Sequence, residues 1–201
     1  MTSTSTATST VEPGPPPSTM AQAGVYQQLR AHLATLKLHD AAEALPAVLE
    51  QAAADKLTLT AALERLLAVE VSATDARRLA SRLRFACLPT PATLAGFDYD
   101  AAPGVDPKLT GELATCRYLD TATNVLLIGP PGTGKTHLAV GLARTAAEAG
   151  YRTYFTSADL ASRCHRAAIE GRWATTMRFY AGPTLLCLDE FGCAPRGAEE
   201  G

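Results

Sequence analysis

The segment that most restricts how this chain can fold is GPPGTGKT, Gly129 to Thr136. It is set between an apolar run, NVLLI at 124–128, and a helical pattern that resumes with HLAVGLA. Two prolines, three glycines and a lysine between two buried stretches suit a turn that must approach a ligand with its backbone. The pattern is G-x-x-x-x-G-K-[ST], and a chance match in a chain of this length has a probability of about 1%. Its context sharpens the reading, because a strand before it and a helix after it are what a phosphate cradle requires. Consecutive N–H groups and the helix N-terminus face an anion, and glycines permit the close approach. Gly132 and Gly134 let the loop wrap a β-phosphate. Lys135 reaches the β/γ oxygens, and the Thr136 hydroxyl is placed to ligate Mg²⁺.

The surrounding pattern is α/β. NVLLI (124–128), RTYFT (152–156) and TLLCL (184–188) are short apolar or β-branched runs, expected as strands of a parallel sheet. Between them, 135–149 reads as a helix ended by Gly150, and 158–170 and 172–180 as two helices separated by Gly171. This order predicts a doubly wound P-loop fold beginning near Leu113. The third run ends in Asp189 and Glu190. An acidic pair there either caps the next helix or serves the phosphates. In the second case Asp189 holds Mg²⁺ through its water shell, and Glu190 orients and deprotonates an attacking water.

Upstream the composition changes. Residues 1–23 are Ser, Thr, Pro and Ala with little to bury and are expected to be disordered. Met20 before the first amphipathic pattern suggests a start there rather than at Met1. Helices are expected from Val25 to about Leu38, from an Asp40 cap to about Asp55 with a bend at Pro46, and from about Thr60 to Cys87. Together they make an all-helical module, 24–88. Arg77, Arg78, Arg82 and Arg84 form either a solvated face beside Glu70 and Asp75 or a phosphate-contacting patch. Pro- and Gly-rich residues 89–112 read as a linker to the core, 113–201. Trp173, Met177 and Tyr180 read as core packing.

Eighteen basic and twenty acidic residues leave a net charge of -2, so a nucleic-acid partner would have to be met by local patches. Five scattered cysteines with four histidines carry no zinc spacing and suit reduced thiols. No stretch reaches the roughly 18 apolar residues of a membrane span, and the expectation is a cytoplasmic protein without a membrane partner.

YQQLRAHLATLKLHDAAEALP, RRLASRLRFACLPTPATLAGFDYD, ELATCRYLDTATNVLLIGPPGTGKTHLAVGLA and EGRWATTMRFYAGPTLLCLDEFG together resemble the IstB-type transposition helper ATPases of IS21-family insertion sequences. These are relatives of the DnaC helicase loaders in the AAA+ class, and the likeness spans residues 24–193. It implies ATP binding and hydrolysis with Mg²⁺, assembly as a homo-oligomer on DNA, and delivery of an IS21-type transposase to target sites. The residues matching the family's nucleotide site are Gly129, Pro130, Pro131, Gly132, Thr133, Gly134, Lys135, Thr136, His137, Asp189 and Glu190. Lys135 and Glu190 carry the catalytic roles, and Thr136 and Asp189 the metal. In the initiator-like branch of the class, helices between the second and third strands face DNA; here Arg163, His165, Arg166 and Arg172 either contact phosphates in that way or are ordinary surface charge.

The family pattern continues past Gly201 with further strands and helices, one of which lies between the strands carrying the loop and Asp189. The chain is therefore expected to be truncated, with an incomplete AAA+ sheet, weak ATP binding and poor hydrolysis. Two other readings stay open: a DnaC-like helicase loader in DNA replication, and a catalytically dead interaction module that binds a partner through 24–88.

Overall fold

The computed structural model of the protein describes residues 19–157 and 160–189. It divides into two compact units, residues 1–74 and 75–201. The first holds α1 (Thr19–Thr35), α2 (His39–Ala54) and the first half of α3 (Leu59–Ala86). Leu33, Ala41, Ala42, Leu45, Val48 and Leu66 form its core. The turns after α1 and α2 close through Lys37 and Lys56 at positive φ, with Leu38 N–H bonded to Leu33 O and Leu57 N–H to Ala52 O. These are the 6→1 closures usually built on glycine. Asp40, expected as the cap of α2, lies inside its first turn, and the N-cap position is Leu38, which offers no side-chain acceptor. Glu70 fills the role from α3: it is only 6% exposed and its Oε2 accepts from Ala41 N–H at 3.1 Å. A buried carboxylate is tolerable there because it meets the positive end of a helix dipole.

In the second unit, the remaining turns of α3 lead through a 3-10 turn at Leu94–Gly96 to α4 (Pro107–Ala114) and α5 (Arg117–Asp120). Asp106 caps α4, its side chain accepting from Lys108 N–H at 2.8 Å, and Pro107 sits where no N–H is needed. After the glycine-rich loop come α6 (Lys135–Glu148), β1 (Thr153–Thr156), α7 (Leu160–Ile169), α8 (Trp173–Tyr180) and β2 (Leu185–Leu188). Gly150 and Gly171 end α6 and α7 at φ values of 103° and 70°, as their positions in the sequence predict.

β1 and β2 pair in parallel, Thr153 opposite Leu185 and Thr156 opposite Leu188. Helices lie between them in the chain, so the expected βααβ order and parallel ladder are both present. Tyr154 packs with Phe85, Phe179 and Tyr180, at 5.7, 5.0 and 6.0 Å between ring centroids. α6 is buried around most of its circumference, at Leu138, Val140, Gly141, Leu142, Ala143, Ala146 and Ala147.

Three further expectations are corrected. NVLLI at 124–128 is not a strand: it has no ladder among the described residues, and Leu126 and Ile128 are 81% and 89% exposed. β-propensity is largely packing against neighbours, and without a paired strand the run has none. Trp173 is 50% exposed rather than core. Arg82, assigned to either a solvated face or a phosphate patch, does neither; its Nε donates to Ala147 O at 2.8 Å near the end of α6, a favoured place for a cation.

Candidate nucleotide-binding site

The loop between 128 and 135 is shaped by its own short-range chemistry. Gly132 and Gly134 take φ values of 82° and 81°, a region costly for residues with a Cβ. The Pro130 carbonyl accepts from Thr133 Oγ1 at 2.9 Å and from Lys135 Nζ at 2.6 Å, so one oxygen draws both donors inward and closes the turn. Gly134 is the N-cap of α6 and no side chain caps it. Its first-turn N–H groups therefore look for an acceptor from outside. A methyl group at Gly132 would meet nothing within 4 Å, so the turn is open beside that residue. Backbone donors, a helix N-terminus and an ammonium converge on that opening, a donor set that fits a phosphate chain.

β2 brings the carboxylate to the same place. Asp189 N–H bonds to Thr156 O at 3.0 Å, which extends the β1–β2 ladder by one residue and fixes the backbone from which the side chain projects. Thr136 Oγ1 then donates to Asp189 Oδ2 at 2.9 Å. Residues 53 positions apart thus place a hydroxyl and a carboxylate together at the mouth of the loop. Behind them Cys187 faces α6, with Sγ 3.9 Å from Ala139 O. Burial, and secondly the Asp189 charge, push its thiol up to about 12, so it stays protonated and inert at neutral pH.

Gly129 to Thr136 and Asp189 are therefore gathered at one site. Glu190 lies outside the described residues. His137 turns away from the open side: its Nε2 is 2.9 Å from Thr93 O and its ring stands edge-on to Phe97 at 5.4 Å. Those contacts reveal a part of the site that sequence reasoning placed in a linker. Residues 92–97 run along α6 as a strap. Arg144 Nε donates to Ala92 O at 3.2 Å, and Leu94 crosses Gly141 so closely that a methyl there would lie 2.7 Å from Leu94 Cδ2. Phe97 covers Gly134, where a methyl would lie 2.6 Å from Cε2. The available signal was Gly141, a glycine inside a helical pattern, which marks a close approach. Of the arginines named for DNA contact, Arg172 pairs with Glu170.

A left-handed glycine turn on an uncapped helix, a lysine folded over it and an aspartate at the end of a neighbouring parallel strand define a P-loop nucleotide-binding protein. Comparison with known proteins agrees. A family model described as IstB-like ATP binding protein matches residues 31–201, and the chain belongs to that family. It is 38% identical over 152 residues to a Geobacillus stearothermophilus protein of insertion sequence IS5376 named for ATP binding, covering 75% of this chain and 61% of the relative. A Pseudomonas aeruginosa protein of IS21, also named for ATP binding, is 36% identical over 174 residues, 86% of this chain and 66% of its own. A Bacteroides fragilis IS21-like counterpart is 31% identical over 184 residues, 91% and 70% respectively. The chain thus spans under two thirds of the first two relatives. Among the described residues, no helix is long and apolar enough to cross a membrane.

Proposed function

We propose that this chain binds ATP with Mg²⁺ at residues 129–136 and Asp189, and serves in the cytoplasm as an ATP-dependent helper of DNA transposition. The observation that carries the nucleotide half is the 2.9 Å contact between Thr136 and Asp189 at the open side of the glycine turn. Two oxygens are too few for a protein cage, and among the described residues no group of three or more His, Cys, Asp or Glu side chains converges. Mg²⁺ usually takes one or two protein oxygens and completes its octahedron with phosphate and water, which suits this pair. Bound Mg²⁺–ATP supplies a charge-neutralised γ-phosphoryl group. Lys135 would exchange the Pro130 carbonyl for phosphate oxygens, the amides from Gly132 to Thr136 would hold the chain of phosphates, and Glu190 would activate water.

The transposition half is supported by relatives named for insertion sequences, a naming that favours it over helicase loading. In this reading the helical segment 24–88 meets the transposase, residues 89–112 lead into the ATP-binding core 113–201 with their strap packed on α6, and copies assemble on DNA. Arg163, His165 and Arg166 on α7 contact DNA phosphates. Titration of the full chain with ATP, with and without Mg²⁺, tests the site. Mg²⁺ should tighten binding about tenfold, near 1.4 kcal/mol, and Asp189→Asn should remove that gain. Equal Mg²⁺ dependence in the two proteins would sink the metal assignment.

A further inference from the structure

A glycine reaches positive φ easily, but it reaches negative φ as easily, so Gly134 alone does not choose the left-handed conformation that opens α6 toward an anion. Something beside it must. Phe97 is 8% exposed, and its Cε2 and Cζ occupy the space a Gly134 Cβ would need, at 2.6 and 3.1 Å. Tyr99 and His137 flank the ring edge-on, at 4.9 and 5.4 Å between centroids. The strap carrying it is tied to α6 again at Thr93, where His137 Nε2 lies 2.9 Å from the carbonyl, and at Ala92, where Arg144 donates. The ring is thus fixed from three sides and pressed onto the one glycine at which loop becomes helix.

We propose that Phe97 is a positioning residue for the phosphate loop, holding Gly134 left-handed so that the first-turn amides of α6 are aimed before ligand arrives. The inference rests on the nucleotide reading above only for its consequence, tighter ATP binding through preorganisation. Its structural content stands by itself. The contact is made by the outer ring atoms, which a leucine cannot reach and a methionine can, although the two are similarly apolar.

The test uses the full chain with Phe97→Leu and Phe97→Met, read in two ways. Without nucleotide, amide exchange is followed at Leu138, whose N–H donates to Gly134 O at 2.9 Å. With nucleotide, the ATP Kd is measured. Phe97→Leu should speed Leu138 exchange about tenfold and raise the Kd about tenfold, leaving exchange at Ala143 to Ala147 unchanged. Phe97→Met should stay within about threefold of the parent in both readings. Leu138 exchange or a Kd unmoved by Phe97→Leu, or equal losses in the two variants, would overturn the proposal. If the parent binds no ATP, the nucleotide reading fails, while the exchange comparison still decides what Phe97 does. Should Phe97→Leu not fold, Tyr99→Leu removes an edge-on neighbour of the ring instead. Leu138 exchange should then rise about threefold, and an unchanged rate counts against the proposal.

Discussion

The two flanks of the phosphate loop are held very differently. Upstream, 124–128 has no regular secondary structure, with Leu126 and Ile128 almost fully exposed and no ladder among the described residues. Downstream, α6 buries Val140, Ala143, Ala146 and Ala147 completely, with Arg82 near one end and the 92–97 strap along its length. The loop therefore takes its geometry from the helix side. A cradle made of backbone amides needs only its own turn and the helix N-terminus to be fixed, so one rigid flank suffices to shape it.

That contrast can be broken at graded cost. Gly141→Ala should give the largest effect. On an exposed helix the change would stabilise by about 1 kcal/mol, but the methyl would meet Leu94 Cδ2 at 2.7 Å and its backbone nitrogen at 3.1 Å. The sign should reverse to a loss of about 1–3 kcal/mol in denaturant unfolding, the usual cost of overpacking. Arg82→Met keeps the aliphatic stem but removes the donor to Ala147 O, and should cost about 1 kcal/mol in the same assay. On the other flank, Leu126→Asn should change stability by less than about 0.5 kcal/mol, because the side chain is already in water. A loss there as large as that at Gly141 would refute the asymmetry.

A last effect is absent at neutral pH and appears only in alkali. Burial holds the Cys187 thiol near 12, while an unfolded cysteine ionises near 8.5. The unfolded chain sheds this proton first, so the contribution favours unfolding as pH rises through that window. Tyr118, also raised to about 12 chiefly by burial, adds a slope of the same sign above about 10. Cys187→Val should flatten the fall in stability between pH 9 and 11, seen as a smaller drop in unfolding midpoint than in the parent.

What could be read without coordinates was local. The glycine turn, the helix ends at Gly150 and Gly171, and the aspartate closing a strand each depend on a few adjacent residues, and each is where its pattern places it. What escaped depends on partners distant in the chain. Glu70 capping α2 joins positions 29 apart, and His137 meeting Thr93 joins positions 44 apart. No periodicity announces such pairs. The strand expected at 124–128 failed for a related reason, since an apolar β-branched run states a preference and only a neighbour satisfies it. Gly141 was the one visible trace of the strap, because a glycine kept inside a well-formed helix implies something close against it.

The central claim, that the amides of residues 132–136 with Lys135 form a triphosphate cradle, is tested most directly by calorimetric titration of the full chain with ATP beside its Lys135→Ala variant. Saturable binding is expected, weakened at least tenfold in the variant, about 1.4 kcal/mol, while both proteins unfold at the same midpoint. Equal affinity in the two proteins, or no heat of binding to the parent, would contradict it.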